Sequence, residues 1–175
     1  MDPATSLYYL YSTLAQTLAS AAGLLAAVAI YKLPDLEDRI TPVGSQLVSL
    51  WEDEPDQAAR AIGMAWRKGD FAKVVVHLEV DQRWAGSRRA EYERFKELVA
   101  NYHQLRGRAT LALALTFSVI AVSLIAIAYG HGFSDATRRA WLAAGPILFA
   151  LCFVSYARVG RSLRMMPRGH ARLGS

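Results

Sequence analysis

The chain begins with a long apolar run, in which no charged residue occurs between Leu7 and Lys32. About 20 apolar residues in a helix are enough to cross a hydrocarbon core of about 30 Å. The run therefore predicts a first transmembrane helix over residues 7–33. A secretory signal peptide carries Lys or Arg before its apolar run, and none precedes this one. We therefore expect the helix to remain as an anchor, with its N-terminus outside the cytoplasm.

Small residues form a ridge along one face of this helix. The ridge consists of Ala15, Ala19, Gly23 and Ala27, with Gln16 at its side. Small residues let two backbones approach closely in lipid, and a Gln amide needs a partner that lipid cannot supply. We predict that this ridge packs against other helices and that the leucine face contacts lipid, so that Gly23→Leu would loosen the packing more than Leu18→Ala. The alternative is that alanines are merely common in membrane helices.

The pattern changes between residues 34 and 108, where charges of both signs accompany shorter amphipathic periods. Pro34 is expected to end the first helix, and Thr41 to cap a short one after it. Helical spacing resumes at Pro55 and at Phe71. The second of these stretches also alternates as a strand would, but helix is favoured because no second strand is available to pair with it. From Arg88 the pattern is strongly helical and is expected to run on into the next span.

Two further apolar runs predict a second transmembrane helix at residues 109–130 and a third at residues 139–157. The predicted fold class is thus an all-α membrane protein, with three transmembrane helices and a cytoplasmic helical module, residues 34–108, between the first and second. Lys and Arg concentrate in this module and in the tail, residues 158–175, which places both in the cytoplasm. The stretch YSTLAQTLASAAGLL resembles the opening helix of some bacterial membrane proteins, which implies a multi-pass protein of the inner (plasma) membrane.

The formal net charge of +5 is explained by the basic tail rather than by a basic patch on a folded surface. The predicted headgroup-binding arginines are Arg158, Arg161, Arg164 and Arg168. They follow a span on its cytoplasmic side, where anionic lipids give a negative surface potential. The expected partner is therefore a bilayer with anionic headgroups. Nucleic acid is not expected as a partner, because no basic surface is evident outside the tail.

The sequence contains no recognisable catalytic, cofactor or metal motif. The single cysteine, Cys152, rules out a disulfide or a cysteine zinc site within these residues, and the four histidines lie on separate elements. The favoured hypothesis is a non-enzymatic anchor whose module binds another membrane protein or a second copy of the chain. One alternative is an oligomeric channel or membrane-disrupting effector gated by the module. Another is a membrane-surface enzyme that uses Arg88, Arg89, His103 and Arg106.

Overall fold

The computed structural model describes residues 3–51, 56–80 and 88–165, and this part of the chain is helical without a strand. The five α-helices are α1 (Pro3–Val48), α2 (Gln57–Arg67), α3 (Phe71–Val80), α4 (Arg89–Tyr129) and α5 (Asp135–Met165). Short 3-10 turns follow α1 at Ser49–Trp51 and α4 at Gly130–Gly132. Three helices, α1, α4 and α5, are long and apolar enough to span a membrane. The all-helical class and the three candidate spans are thereby confirmed.

Helix α1 does not end at Pro34, and this prediction was wrong. The helix continues through Pro34 and Pro42 to Val48. A proline inside a helix removes one backbone hydrogen bond and costs about 3 kcal/mol, so other contacts must offset it. The buried side chains of Leu36, Ile40 and Leu47 recur at helical spacing beyond the first proline and supply such packing.

Thr41 was also predicted wrongly. It does not cap a new helix, because its hydroxyl donates a hydrogen bond to the Glu37 carbonyl one turn earlier, at 2.8 Å. Thr41 is therefore an interior residue of α1.

The chain divides into two compact units, which are Met1–Ile30 with Leu105–Ser175, here called the long-helix unit, and Tyr31–Gln104, here called the inserted unit. In the long-helix unit, Leu14 and Leu18 of α1 form a core cluster with Val119 of α4 and Cys152 of α5. At another position in this unit the Tyr11 hydroxyl donates to the Trp141 carbonyl at 2.7 Å. This unit is therefore a three-helix bundle of residues from α1, α4 and α5.

In the inserted unit, α2 and α3 form a helical hairpin with a capped turn. The Asp56 side chain caps α2 by accepting from the Ala59 N–H at 2.7 Å. Gly69 adopts a positive φ of 66° after the end of α2, which glycine tolerates without steric cost. The Asp70 N–H donates to the Ala65 carbonyl and the Gly69 N–H to that of Trp66, which together form a Schellman motif. Asp70 then caps α3 by accepting from the Lys73 N–H at 3.2 Å.

The helical interpretation of residues 71–80 is confirmed, because α3 covers this range. The expectation that the helix after Arg88 runs on into the second candidate span is confirmed as well, since α4 is continuous from Arg89 to Tyr129. Helix α5 is longer than the predicted third span at both ends and contains Pro146. The predicted tail from residue 166 onward lies outside the described residues.

Candidate interaction surfaces

An aromatic cluster fixes the hairpin within the inserted unit. The Trp66 ring of α2 lies 5.7 Å from the Phe71 ring of α3 and 6.4 Å from the Phe95 ring of α4, measured between centroids. Phe71 meets Tyr102 edge to face at 6.1 Å. Aromatic pairs at such distances add to the gain from burial. The cluster thus joins both hairpin helices to α4.

Polar side chains of α4 make two further contacts in this unit. The Tyr102 hydroxyl of α4 donates to the Glu37 carboxylate of α1 at 2.6 Å. Lys96 of α4 forms an ion pair with Glu79 of α3. The hydrogen bond from the Lys96 ammonium lowers the pKa of Glu79 below its ordinary value, with the positive charge of Lys96 as the second cause. The hairpin is therefore attached to α4 through both apolar and charged contacts, and α4 is in turn hydrogen-bonded to α1.

The opposite face of the hairpin is exposed and combines cations with large apolar side chains. This face, here called the hairpin surface, consists of Arg60, Met64, Arg67 and Lys68 on α2 and Lys73, Val76 and Val80 on α3. Met64 is 54% exposed, Val76 57% and Val80 82%. Since a folded helix normally turns such side chains inward, their exposure on two neighbouring helices marks a candidate interaction surface.

The charges of the hairpin surface are only partly neutralised. The Lys73 ammonium lies 2.8 Å from the Asp70 carboxylate. Hydrogen bonds from the Lys73 side chain and then from its backbone N–H lower the pKa of Asp70. Arg60 and Lys68 take part in no ion pair within the described residues. Arg60 and Lys68 lie one helical turn on either side of Met64.

The predicted ridge on α1 is not the face that packs within the chain. Ala19, Gly23 and Ala27 are exposed, as is Gln16, whereas Ala15 is half-buried. Leu14 and Leu18, predicted to contact lipid, are buried instead. The prediction for these leucines was wrong, because the bundle packs large side chains from three helices into one core. Contact between the ridge and a second chain stays a prediction.

The predicted headgroup residues lie on the last turns of α5 and beyond. Arg158, Arg161 and Arg164 are exposed there. Arg168 lies outside the described residues. Sequence patterns did not reveal one contact near these residues: Arg108 of α4 donates to the hydroxyl of Ser162 of α5, 54 positions away along the chain.

The residues of the enzyme hypothesis do not form one site. Arg88 pairs with Glu91 at 3.1 Å. His103 packs its ring against Tyr102 at 5.5 Å. Arg88 and His103 are separated by about 22 Å along the helix, at 1.5 Å per residue. Within the described residues, no group of three or more His, Cys, Asp or Glu side chains could hold a metal ion.

The described residues thus form an all-helical fold, in which three helices are long and apolar enough to span a membrane. Comparison with protein-family models, with curated proteins and with solved structures finds no match for this chain.

Proposed function

We propose that the protein is a non-enzymatic anchor of the bacterial inner membrane that displays its inserted unit to a protein partner in the cytoplasm. The observation that carries this proposal is the hairpin surface, which places three exposed apolar side chains among cations. The long-helix unit supports the anchoring role, because each of its three helices is long and apolar enough to cross a bilayer.

The proposed partner surface is acidic and contains an apolar stripe. Arg60 and Lys68 are cations without an ion pair in the described part of the chain, and they flank Met64. A carboxylate on the partner would gain charge-assisted hydrogen bonds from Arg60, and a flexible Met adapts to varied apolar surfaces. Val76 and Val80 extend the apolar contact along α3. An acidic amphipathic helix has this combination of groups.

Photocrosslinking in cells tests the proposal. A photoreactive amino acid at Val76 should yield a discrete adduct, whereas the same amino acid at Ala100, exposed on α4 of the same unit, should not. Arg60→Glu should abolish the adduct, and the matched reversal Arg94→Glu on α4 should leave it. Equal adducts from Val76 and Ala100, or an adduct that survives Arg60→Glu, would refute the hairpin surface as the binding site. An adduct of twice the chain mass would identify the partner as a second copy.

The anchor is further proposed to favour anionic lipid through its C-terminal arginines. Each basic residue near a negatively charged membrane contributes about 1 kcal/mol, an attraction that fades within about 8 Å at physiological salt. Arg158, Arg161 and Arg164 are exposed on the last turns of α5 and can meet headgroups. Purified protein should therefore associate more strongly with vesicles of phosphatidylglycerol than with phosphatidylcholine. A preference that does not weaken as salt rises would contradict this electrostatic account.

A second candidate function, an oligomeric channel, is favoured by one observation. Gln16 is exposed on an uncharged stretch of α1, and Ser20 is exposed one turn later, so several copies could line a polar path with these two residues. Liposomes containing the protein should then conduct ions, and Gln16→Leu should abolish the current. The same current in the variant, or none in the parent protein, would reject the channel.

A further inference from the structure

Arg108 is held at a fixed position where α4 lies against α5 in the long-helix unit. Its guanidinium donates to the Ser162 hydroxyl, and this hydroxyl in turn donates to the Arg158 carbonyl at 3.0 Å. Ser162 is buried, with 6% of its surface exposed. Arg158 and Ser162 are one turn apart on α5 and share a face. The contact between Arg108 and Ser162 therefore places Arg108 of α4 beside the turn of α5 that also carries Arg158.

No carboxylate neutralises these arginines in the described part of the chain. In the long-helix unit, the described residues include one acidic side chain, Asp135, which pairs with Arg138 at 3.5 Å. Asp135 begins α5, about 40 Å along the helix from Ser162 at 1.5 Å per residue. Arg108 is half-buried and thus partly removed from water, which raises the cost of leaving its charge without a counter-anion. An anionic ligand would supply the counter-charge that the described residues do not provide.

We propose that Arg108 and Arg158 form a defined binding site for the phosphate of an anionic phospholipid. A guanidinium carries five N–H donors in a planar fork that matches phosphate oxygens, and Ser162 occupies only part of the fork of Arg108. Ser162 orients that fork, so its remaining donors are fixed before the ligand binds. The site thus differs from the general attraction between basic residues and a charged surface, because it requires two particular side chains.

The surroundings of the two arginines favour a lipid over free phosphate. Leu111 follows Arg108 by three positions and is 65% exposed, and Val154 precedes Arg158 by four positions and is 48% exposed. These spacings place each apolar side chain on the same helix face as its arginine. A ligand held by its phosphate at Arg108 and Arg158 would therefore meet an apolar strip on which an acyl chain could lie. This inference rests on the proposed membrane function.

Native mass spectrometry of the full chain in detergent tests the site. Phosphatidylglycerol, phosphatidylcholine and inorganic phosphate are titrated separately, and the fraction of protein with one bound ligand gives each Kd. Arg108→Gln and Arg158→Gln should each weaken phosphatidylglycerol binding about tenfold or more, the usual effect of losing a hydrogen bond between charged groups. The matched control is Arg139→Gln, which removes one exposed arginine near the other end of α5 and should change the Kd less than threefold. Arg158 is exposed, so its variant retains the fold even if Arg108→Gln disturbs the contact with Ser162.

Three outcomes would overturn the site. An equal loss of affinity in Arg139→Gln would show that only total charge matters. Equal affinity for phosphatidylcholine would show that the anionic headgroup is not selected, and equal affinity for inorganic phosphate would identify an anion site without lipid preference. Failure of the membrane function itself gives a different result, because the protein would then remain in solution after the detergent is removed.

Discussion

Gly44 lies at a point of close packing between α1 and the aromatic cluster. A Cβ atom there would lie 2.4 Å from the Trp66 ring and 2.7 Å from the Phe95 ring, closer than such atoms approach. Gly44→Ala should therefore force the rings apart and lower the free energy of unfolding by about 1–3 kcal/mol, the usual cost of overpacking. Thermal and denaturant unfolding of the purified protein measure the change.

Gly63 supplies the matched control within the same unit. It is a helix-interior glycine of α2, and an added Cβ meets nothing within 4 Å. Gly63→Ala should raise stability by about 0.5–1 kcal/mol, because alanine has the higher helix propensity. If both variants change stability in the same direction, the close packing at Gly44 is not what decides the effect.

Asp70 makes the hairpin sensitive to acid. Its pKa lies below the ordinary value of 3.8 because the side chain and backbone N–H of Lys73 donate to the carboxylate. The stabilisation is complete above the ordinary pKa, and it is lost as pH falls through the lowered pKa of the folded state. Asp70→Asn keeps an acceptor for the helix cap but removes the charge. The unfolding temperatures of the parent and the variant should therefore differ at pH 7 and converge as the pH falls below the lowered pKa of Asp70, whereas parallel curves would contradict this assignment.

Local sequence patterns can identify some of these residues and not others, for a clear reason. Asp70 was predictable as a cap because its partner, Lys73, lies three residues away, within the range of a local pattern. The bond from Tyr102 to Glu37 joins residues 65 positions apart, and that from Arg108 to Ser162 joins residues 54 apart. Periodicity describes one helix at a time, so it cannot show which side chains of two helices meet.

At the scale of elements, α3 and α4 were predictable and the extent of α1 was not. The buried residues of α3 have the helical period, and α4 joins an amphipathic stretch to an uncharged run of spanning length, so local pattern and tertiary packing agree. In α1, the local signal of Pro34 opposes the packing of Leu36 and Ile40 on the far side of it, and packing prevails. Packing also explains why the leucine face of α1, and not the ridge of small residues, is buried in the bundle. Leu14 and Ala15 belong to neighbouring stripes of similar period, and only the bundle decides which stripe turns inward.

Substitutions on the two faces of α1 should therefore have different effects on stability and on oligomer mass. Leu18 is 2% exposed and packs with Val119 and Cys152, so Leu18→Ala should leave a cavity and cost about 2 kcal/mol or more. Gly23 has open space around it, so Gly23→Leu should leave the thermal stability of a single chain nearly unchanged. If the ridge joins two copies, Gly23→Leu should lower the mass of the detergent-solubilised particle. A larger loss of stability from Gly23→Leu than from Leu18→Ala would mean that the ridge packs within the chain.

At the scale of the whole molecule, charge is distributed unevenly along the chain. The inserted unit carries acidic and basic residues together, with ion pairs such as Arg39 with Asp35 at 3.2 Å. In the long-helix unit the described charges are mostly arginine, at Arg106 and Arg108 and from Arg158 onward, with Arg138 and Arg139 as the exception near the start of α5. Orientation in a membrane follows the placement of Lys and Arg rather than net charge. The basic residues of the inserted unit and those near the C-terminus therefore predict that both parts of the chain lie in the cytoplasm.

Reporter fusions test this orientation. A fluorescent protein that matures only in the cytoplasm, fused after Gly69 in the hairpin turn or after Ser175, should fluoresce. An alkaline phosphatase that is active only outside should be active after Gly132, in the link between α4 and α5, and inactive at the other two positions. The opposite pattern at all three positions would mean that the chain is inserted the other way round, with the hairpin surface outside the cytoplasm. An active phosphatase at one of the two cytoplasmic positions alone would mean that an odd number of spans separates Gly69 from Ser175, and that α4 and α5 do not both cross the bilayer.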